Sequence, residues 1–280
     1  MLRISEMIQL GQEKLLEKLG DRAFFESRLL AAKATGFEIE QLILRSDESV
    51  SKIQLNLFNN FIDRRLQSEP MAYILEEKEF FKRKFQVGPG VLIPRPETEL
   101  LVELTLSWMA EKATALRVAE LGLGSGCLLF SIALERQEFK DEFYGWENSP
   151  EAINYAKKNQ KRWSLDQVKI FEADFSEIQN QRDFDVILSN PPYIPSSELS
   201  ELMPEIQVYE PRRALDGGEM GLEFYRKIYQ EAWPKLRSGG LLGLETHNEK
   251  QRELLLRDIF VSHVKKHWIE DCHLLIEKKD

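Results

Sequence analysis

From about residue 115 onward the chain alternates short β-type runs with helical stretches, and this alternation limits its possible folds more than any other feature. The runs fall at 116–121, 142–146, 168–172, 184–188, 241–245 and 272–277. Each is short, apolar and rich in branched or aromatic residues, and the segments between them have room for helices. Repetition of strand and helix predicts an α/β domain whose doubly wound sheet is mostly parallel. A hairpin-like final strand would make the last pairing antiparallel. In open α/β sheets ligands bind beyond the carboxyl ends of the strands, so the residues that follow each run are the ones to read for chemistry.

The first run, Arg117-Val118-Ala119-Glu120-Leu121, opens into Gly122-Leu123-Gly124-Ser125-Gly126 and then an apolar helix from Cys127. The glycines allow a tight turn and a close approach of ligand to backbone. The G-x-G-x-G spacing lacks the third glycine of the dinucleotide fingerprint, and no Lys-Ser/Thr follows as in a phosphate loop. Glu120 at the strand end would repel a pyrophosphate and could hold an ammonium. S-adenosylmethionine (SAM) carries an amino group and no phosphate, so the loop favours SAM over NAD.

The second run leads to Glu147, where a carboxylate can accept from ribose hydroxyls. Ser149 and Pro150 follow as helix cap and first helical residue. The third leads to Asp174, a candidate acceptor for an adenine amino group, and Phe175, a candidate ring to lie against adenine. Read singly, Glu147 is a loop carboxylate and Phe175 a core ring beside a capping aspartate. The ordered series of strand ends is what points to a nucleoside ligand.

The fourth run ends in Ser189-Asn190-Pro191-Pro192-Tyr193. Two prolines must stop the strand, and an ordinary Asn-Pro turn would do the same. The chemistry of these residues says more. A carboxamide nitrogen is a poor nucleophile because its lone pair is delocalised. Two acceptors aimed at its hydrogens orient it and stabilise the charge that develops as an electrophilic carbon arrives. The Asn190 side-chain oxygen and the Pro191 carbonyl are those acceptors, Pro192 stiffens the turn, and Tyr193 can pack on the flat amide. The exocyclic amine of adenine would fit equally well, so the turn leaves two acceptors open.

Ahead of the α/β part, residues 1–72 read as a small helical bundle that docks a partner. Its stripes are Ile4, Met7, Ile8, Leu15, Leu16 and Leu19; then Phe24, Phe25, Leu29, Leu30 and Ala34, capped by Asp21 and stopped at Gly36; then Val50, Ile53, Leu57, Phe58, Phe61, Ile62 and Leu66 on a helix from about Glu48 to Gln67. Aromatic and β-branched residues bounded by Gly and Pro make 73–92 a hairpin linker, and 93–280 is the catalytic domain. Pro94 and Pro96 fix Arg95 in an extended segment before a helix near Glu97. A net charge of −9 and a pI near 5.3 argue against a dedicated nucleic-acid binder, so no direct DNA contact is expected. Two cysteines, Cys127 and Cys272, without pairing or metal spacing fit a reducing cytoplasm, and the expected location is cytoplasmic. No apolar run is long enough for a membrane span, and a monomer is expected. His263 and His267 have a metal spacing for a helix, but without a third ligand they read as a solvated basic face. Arg212 and Arg213 are surface charges or contacts to an RNA-like or acidic partner surface.

With these residues in view, the chain resembles the HemK-type glutamine N5-methyltransferases that act on peptide chain release factors. The likeness runs through 64–74 (RRLQSEPMAYI), 91–99 (VLIPRPETE), the glycine loop, 189–194 (SNPPYI) and 209–218 (YEPRRALDGG). It implies a helical N-terminal bundle, a β-hairpin linker and a Rossmann-like SAM-dependent methyltransferase domain. It implies SAM contacts at Gly122–Gly126, Glu147, Phe175 and Asn190, and amide contacts at Asn190–Tyr193. The implied substrate is the glutamine of a Gly-Gly-Gln loop in class I release factors. The Ile93–Glu99 segment and the helical front separate this family from DNA adenine methyltransferases. The family usually has Asp at Glu147, often Thr at Leu123, commonly Trp at Phe175 and Gly near His247, which lies off the methyl-transfer turn. Other readings are a ribosomal-protein glutamine methyltransferase, an N6-adenine methyltransferase, and a translation-associated binding module without catalysis.

Overall fold

The computed structural model describes residues 2–260 and 264–278. It divides into two compact units, Met1–Glu76 with Pro204–Tyr209, and Glu77–Met203 with Glu210–Asp280.

The first unit is helical: α1 (Ile4–Leu19), α2 (Arg22–Thr35), α3 (Ile39–Leu44), α4 (Lys52–Leu66), α5 (Met71–Leu75) and the short helix Pro204–Tyr209. Ile4, Met7, Leu15, Leu30, Phe58 and Ile62 lie at its core. Three sequence expectations are corrected here. Asp21 does not cap α2: its backbone is already helical, at φ −59°, and its side chain accepts no cap bond. A capping side chain must reach back from an extended residue. α4 starts after Ser51 rather than near Glu48, because Ser51 and Gln54 close a reciprocal capping box. The apolar stripes also overstate the core, since Leu16, Phe24, Phe25, Ile53 and Leu57 are exposed. One buried ion pair ties the bundle: Arg65 Nε donates to Glu26 Oε2 at 2.6 Å, and its Nη1 lies 3.0 Å from Glu205.

The second unit opens with the antiparallel hairpin β1 (Glu77–Phe80) and β2 (Arg83–Gln86), the latter carrying Phe85 into the core. After α6 (Thr98–Ala110) come β3 (Arg117–Leu121), α7 (Cys127–Glu135), β4 (Glu142–Glu147), α8 (Pro150–Arg162), β5 (Val168–Glu172), β6 (Phe184–Ser189) and β7 (Leu236–Glu245). Two more strands complete the sheet, β8 (Val264–Glu270) and β9 (His273–Lys278). Among the described residues the sheet has seven strands in the order β5-β4-β3-β6-β7-β9-β8. The first five are parallel, and β9 pairs antiparallel with β7 and β8. The antiparallel ending is therefore as expected.

The helix expected around His263 and His267 is corrected. His263 lies outside the described residues, and His267 is in strand β8, in register with Ile276 of β9. Ladder pairing with a neighbouring strand outweighs local preference. Ser149 and Pro150 start α8 as expected, with Ser149 Oγ accepting from the Ala152 N–H at 3.3 Å.

The strand order reverses between β3 and β6, which makes their carboxyl ends the switch point of the sheet. The two ends are bonded to each other, because the buried Ser189 hydroxyl donates to the Leu121 carbonyl at 2.7 Å.

Candidate active site

A cavity of about 390 Å³ opens at this switch point. Its lining includes Glu120, Gly122, Leu123, Gly124, Ser125, Glu147, Asp174, Phe175, Asn190, Pro191 and Pro192. Four strand ends thus bring eleven of the thirteen sequence-predicted site residues to one space. Gly126 and Tyr193 are not among the lining residues. Gly126 serves the turn: its φ is +82°, and a Cβ there would sit 2.3 Å from the Phe130 ring. Tyr193 is turned away, with its ring stacked against His247 at 5.9 Å between centroids and its hydroxyl 3.1 Å from Glu245 Oε1.

The glycine loop is fastened from outside. The N–H groups of Gly122 and Leu123 donate to the Trp146 carbonyl at 3.0 and 2.9 Å. Leu123 is buried over Gly145, where a Cβ would meet its side chain at 2.8 Å. A leucine here is therefore a packing residue, and the loop backbone forms the cradle. A Cβ at Gly122 or Gly124 would project into open space, which is what a ligand cradle requires. Glu147 closes the loop from β4: its Oε2 accepts from Gly124 N–H at 2.9 Å, and its Oε1 from the Asn148 and Ser149 N–H groups.

Glu120 is buried, with Oε2 accepting from Leu129 N–H at 3.0 Å. Burial pushes its pKa well above the ordinary carboxylate range; the Leu129 N–H works against that, and the charge of Glu147 adds to it. A cation bound beside Glu120 would restore its charge. At Asp174 burial opposes ionisation, but Lys227 and the Ser176 N–H outweigh it and hold the pKa low. Lys227 Nζ lies 2.6 and 2.7 Å from the two Asp174 oxygens and 4.7 Å from the Phe175 ring centroid. A carboxylate accepts about four hydrogen bonds, so Asp174 keeps capacity for a ligand.

The turn at Asn190 is held by residues that sequence reasoning did not single out. Asn190 Nδ2 donates to Thr98 Oγ1 at 3.2 Å, and the Thr98 hydroxyl donates to Glu245 Oε2 at 2.6 Å. Thr98 begins α6 and Glu245 ends β7, and both are buried. Gln251 Nε2 donates to the Tyr193 carbonyl at 3.0 Å. Leu215, Gly217 and Gly221 also pack here. The Ile194 N–H donates to the Leu215 carbonyl at 3.1 Å and the Gly217 N–H to the Ile194 carbonyl at 2.8 Å, and a Cβ on Gly221 would stand 2.2 Å from the Tyr193 carbonyl. The expectation that His247 lies off the turn is corrected: it stacks on Tyr193 and bonds Glu198 at 3.0 Å.

Glu210 was missed as well. It is buried and accepts from Arg95 Nη2 at 2.6 Å and from Ile93 N–H at 3.1 Å, so it anchors the proline-flanked segment along the cavity. Arg213 pairs with Glu151 at 2.7 Å and contacts the Ser149 hydroxyl, and Arg212 pairs with Asp216 at 3.1 Å.

A sheet of this order, with a glycine loop after β3 and a cavity at the β3/β6 switch point, gives the chain's second unit a Rossmann-like fold with its ligand site at the switch point. Residues 112–277 match the family model described as a methyltransferase domain, and residues 6–75 match the one described as the PrmC N-terminal domain. A release factor glutamine methyltransferase from Geobacter sulfurreducens is 39% identical over 82% of this chain and 79% of its own length. One from Caulobacter vibrioides is 34% identical over 84% and 81%. The chain belongs to the release factor glutamine methyltransferase family. Solved structures agree on the fold alone. A methyltransferase from Pyrococcus furiosus superposes with a TM-score of 0.51 at 20% identity, covering 79% of this chain and 100% of that one. The T. thermophilus 16S rRNA N2 G1207 methyltransferase gives 0.52 at 17%, covering 73% and 50%.

Proposed function

We propose that this protein transfers the methyl group of SAM to the side-chain amide nitrogen, N5, of the glutamine in a Gly-Gly-Gln loop of class I peptide chain release factors. The observation that carries the reading is the joining of the glycine loop and Asn190-Pro191-Pro192 in one cavity at the switch point. The names of the relatives supply the acceptor.

The residues present fit SAM. Gly122 and Gly124 leave a cradle without side chains, Glu120 suits an ammonium, Glu147 suits ribose hydroxyls, and Asp174 and Phe175 suit adenine. When bound, SAM supplies an electrophilic methyl carbon on a sulfonium. The chain's own part is to present the acceptor. The Asn190 side-chain oxygen and the Pro191 carbonyl accept the two hydrogens of the glutamine amide and turn its nitrogen toward the methyl position. They also stabilise the positive charge that grows on that nitrogen. An N-alkylated amide then loses its proton readily, so no strong base is required. Pro192 keeps the turn rigid, and Tyr193 supports it from behind through Glu245 rather than by packing on the substrate. The helical unit docks the release factor, and the cytoplasm is where the two proteins meet.

The test is transfer of labelled methyl from SAM to purified release factor, ribosomal protein or DNA, with wild type and Asn190→Ala. Label is expected in the release factor glutamine, reduced on the order of 100-fold in the variant. Label in DNA or ribosomal protein instead, or undiminished label in the variant, overturns the reading.

A further inference from the structure

Beyond the two acceptors, the turn contains a device that decides which way the Asn190 carboxamide faces. A carboxamide has a donor end and an acceptor end of nearly the same shape. Only one of its two orientations offers oxygen to an incoming amide. We propose that Glu245 and Thr98 are positioning residues that fix this orientation through a relay of hydrogen-bond polarity; the proposal rests on the glutamine reading above.

The argument starts at the buried carboxylate. Ionised, Glu245 can only accept. It sits 2.6 Å from Thr98 Oγ1, 3.1 Å from the Tyr193 hydroxyl and 3.8 Å from His273 Nε2. A threonine hydroxyl has one proton, and at 2.6 Å that proton lies between Thr98 and Glu245. What Thr98 turns toward Asn190 is therefore a lone pair. Thr98 Oγ1 must accept there, so the group 3.2 Å away must be the NH₂ end of Asn190. The carbonyl end then points away from Thr98, and Asn190 itself lines the cavity.

The same carboxylate receives both ends of the turn, Asn190 through Thr98 and Tyr193 directly. One buried charge therefore sets the orientation of the acceptor and the position of the turn that carries it. A glutamine at 245 would break the logic: its NH₂ could donate to Thr98, freeing the Thr98 proton for the Asn190 oxygen and turning the amide around.

The experiment uses the full-length protein with Thr98→Val, Thr98→Ser, Glu245→Gln and Asn190→Ala. Thr98→Val nearly preserves shape and removes the hydroxyl. Expected are a fall in kcat on the order of 100-fold for Thr98→Val and Glu245→Gln, and recovery of most activity in Thr98→Ser. In the Asn190→Ala background Thr98→Val should not lower kcat further, because the group Thr98 orients is gone. A purely structural role predicts an additive loss in the double variant, and that result overturns the relay. If Glu245→Gln does not fold, Thr98→Val alone decides. One readout needs no substrate: the Asn190 side-chain NH₂ protons should exchange with solvent more slowly in wild type than in Thr98→Val, by NMR. Equal exchange overturns the relay. Wild type that leaves release factor unlabelled, with the exchange difference present, overturns the functional reading and keeps the relay.

Discussion

Glu245 gathers Thr98, Tyr193 and His273 in the interior, and the histidine has a measurable consequence. Burial disfavours a charged His273, but its contacts with Cys272 and Glu245 outweigh that and push the pKa up to about 9 from an ordinary 6.5. A pKa raised on folding adds stability that is complete below the unfolded value. It is lost as pH rises from about 6.5 through about 9. The contribution is on the order of 3 kcal/mol. Urea unfolding of wild type and His273→Gln should differ by that amount at pH 6 and converge by pH 10. A gap that stays constant across that range would exclude a charged His273.

At the scale of elements, α8 connects the cofactor edge of the sheet to its flank. Its start depends on Ser149, whose hydroxyl accepts from the Ala152 N–H and contacts Arg213 and Glu151. Ser149→Ala should cost about 1 kcal/mol, as loss of a helix cap does, read as a lower urea midpoint at unchanged slope. The N–H of Ser149 also donates to Glu147 Oε1, which the alanine retains. SAM affinity should accordingly change less than stability. A larger fall in SAM affinity would mean that the cap, and not only the Glu147 backbone bonds, shapes the ribose side of the cavity.

For the molecule as a whole, a ligand that binds only the folded state stabilises it by mass action. SAM at about 100 times its Kd should add about 2.7 kcal/mol, visible as an upward shift in Tm that grows with the logarithm of SAM concentration. NAD at the same concentration should give no shift, because Glu120 and Glu147 flank the cradle where a pyrophosphate would need donors. A shift with NAD would reverse the choice of cofactor. Net charge, −9 over the whole chain, adds that any affinity for DNA should be weak and collapse with salt.

Local chemistry was enough to determine the five parallel strands, β9, the glycine loop and the prolines that end β6, because periodicity, turn glycines and the missing N–H of proline act over a few residues. It also determined which strand ends carry the candidate site residues, and eleven of those thirteen do meet in one cavity. It failed at β8, where pairing with β9 replaces the helix that His263 and His267 suggested, and at the exposed apolar residues of the helical unit. Spacing alone does not say which side of a stripe finds a neighbour. It failed most where partners are remote in sequence. Thr98 and Glu245 are 147 positions apart, and Ile93 and Glu210 117 apart. A glutamate at a strand end looks the same in sequence whether it faces water or orders an active-site turn. Only the tertiary structure buries Glu245, removes water as its partner, and leaves Thr98 and Tyr193 to satisfy it.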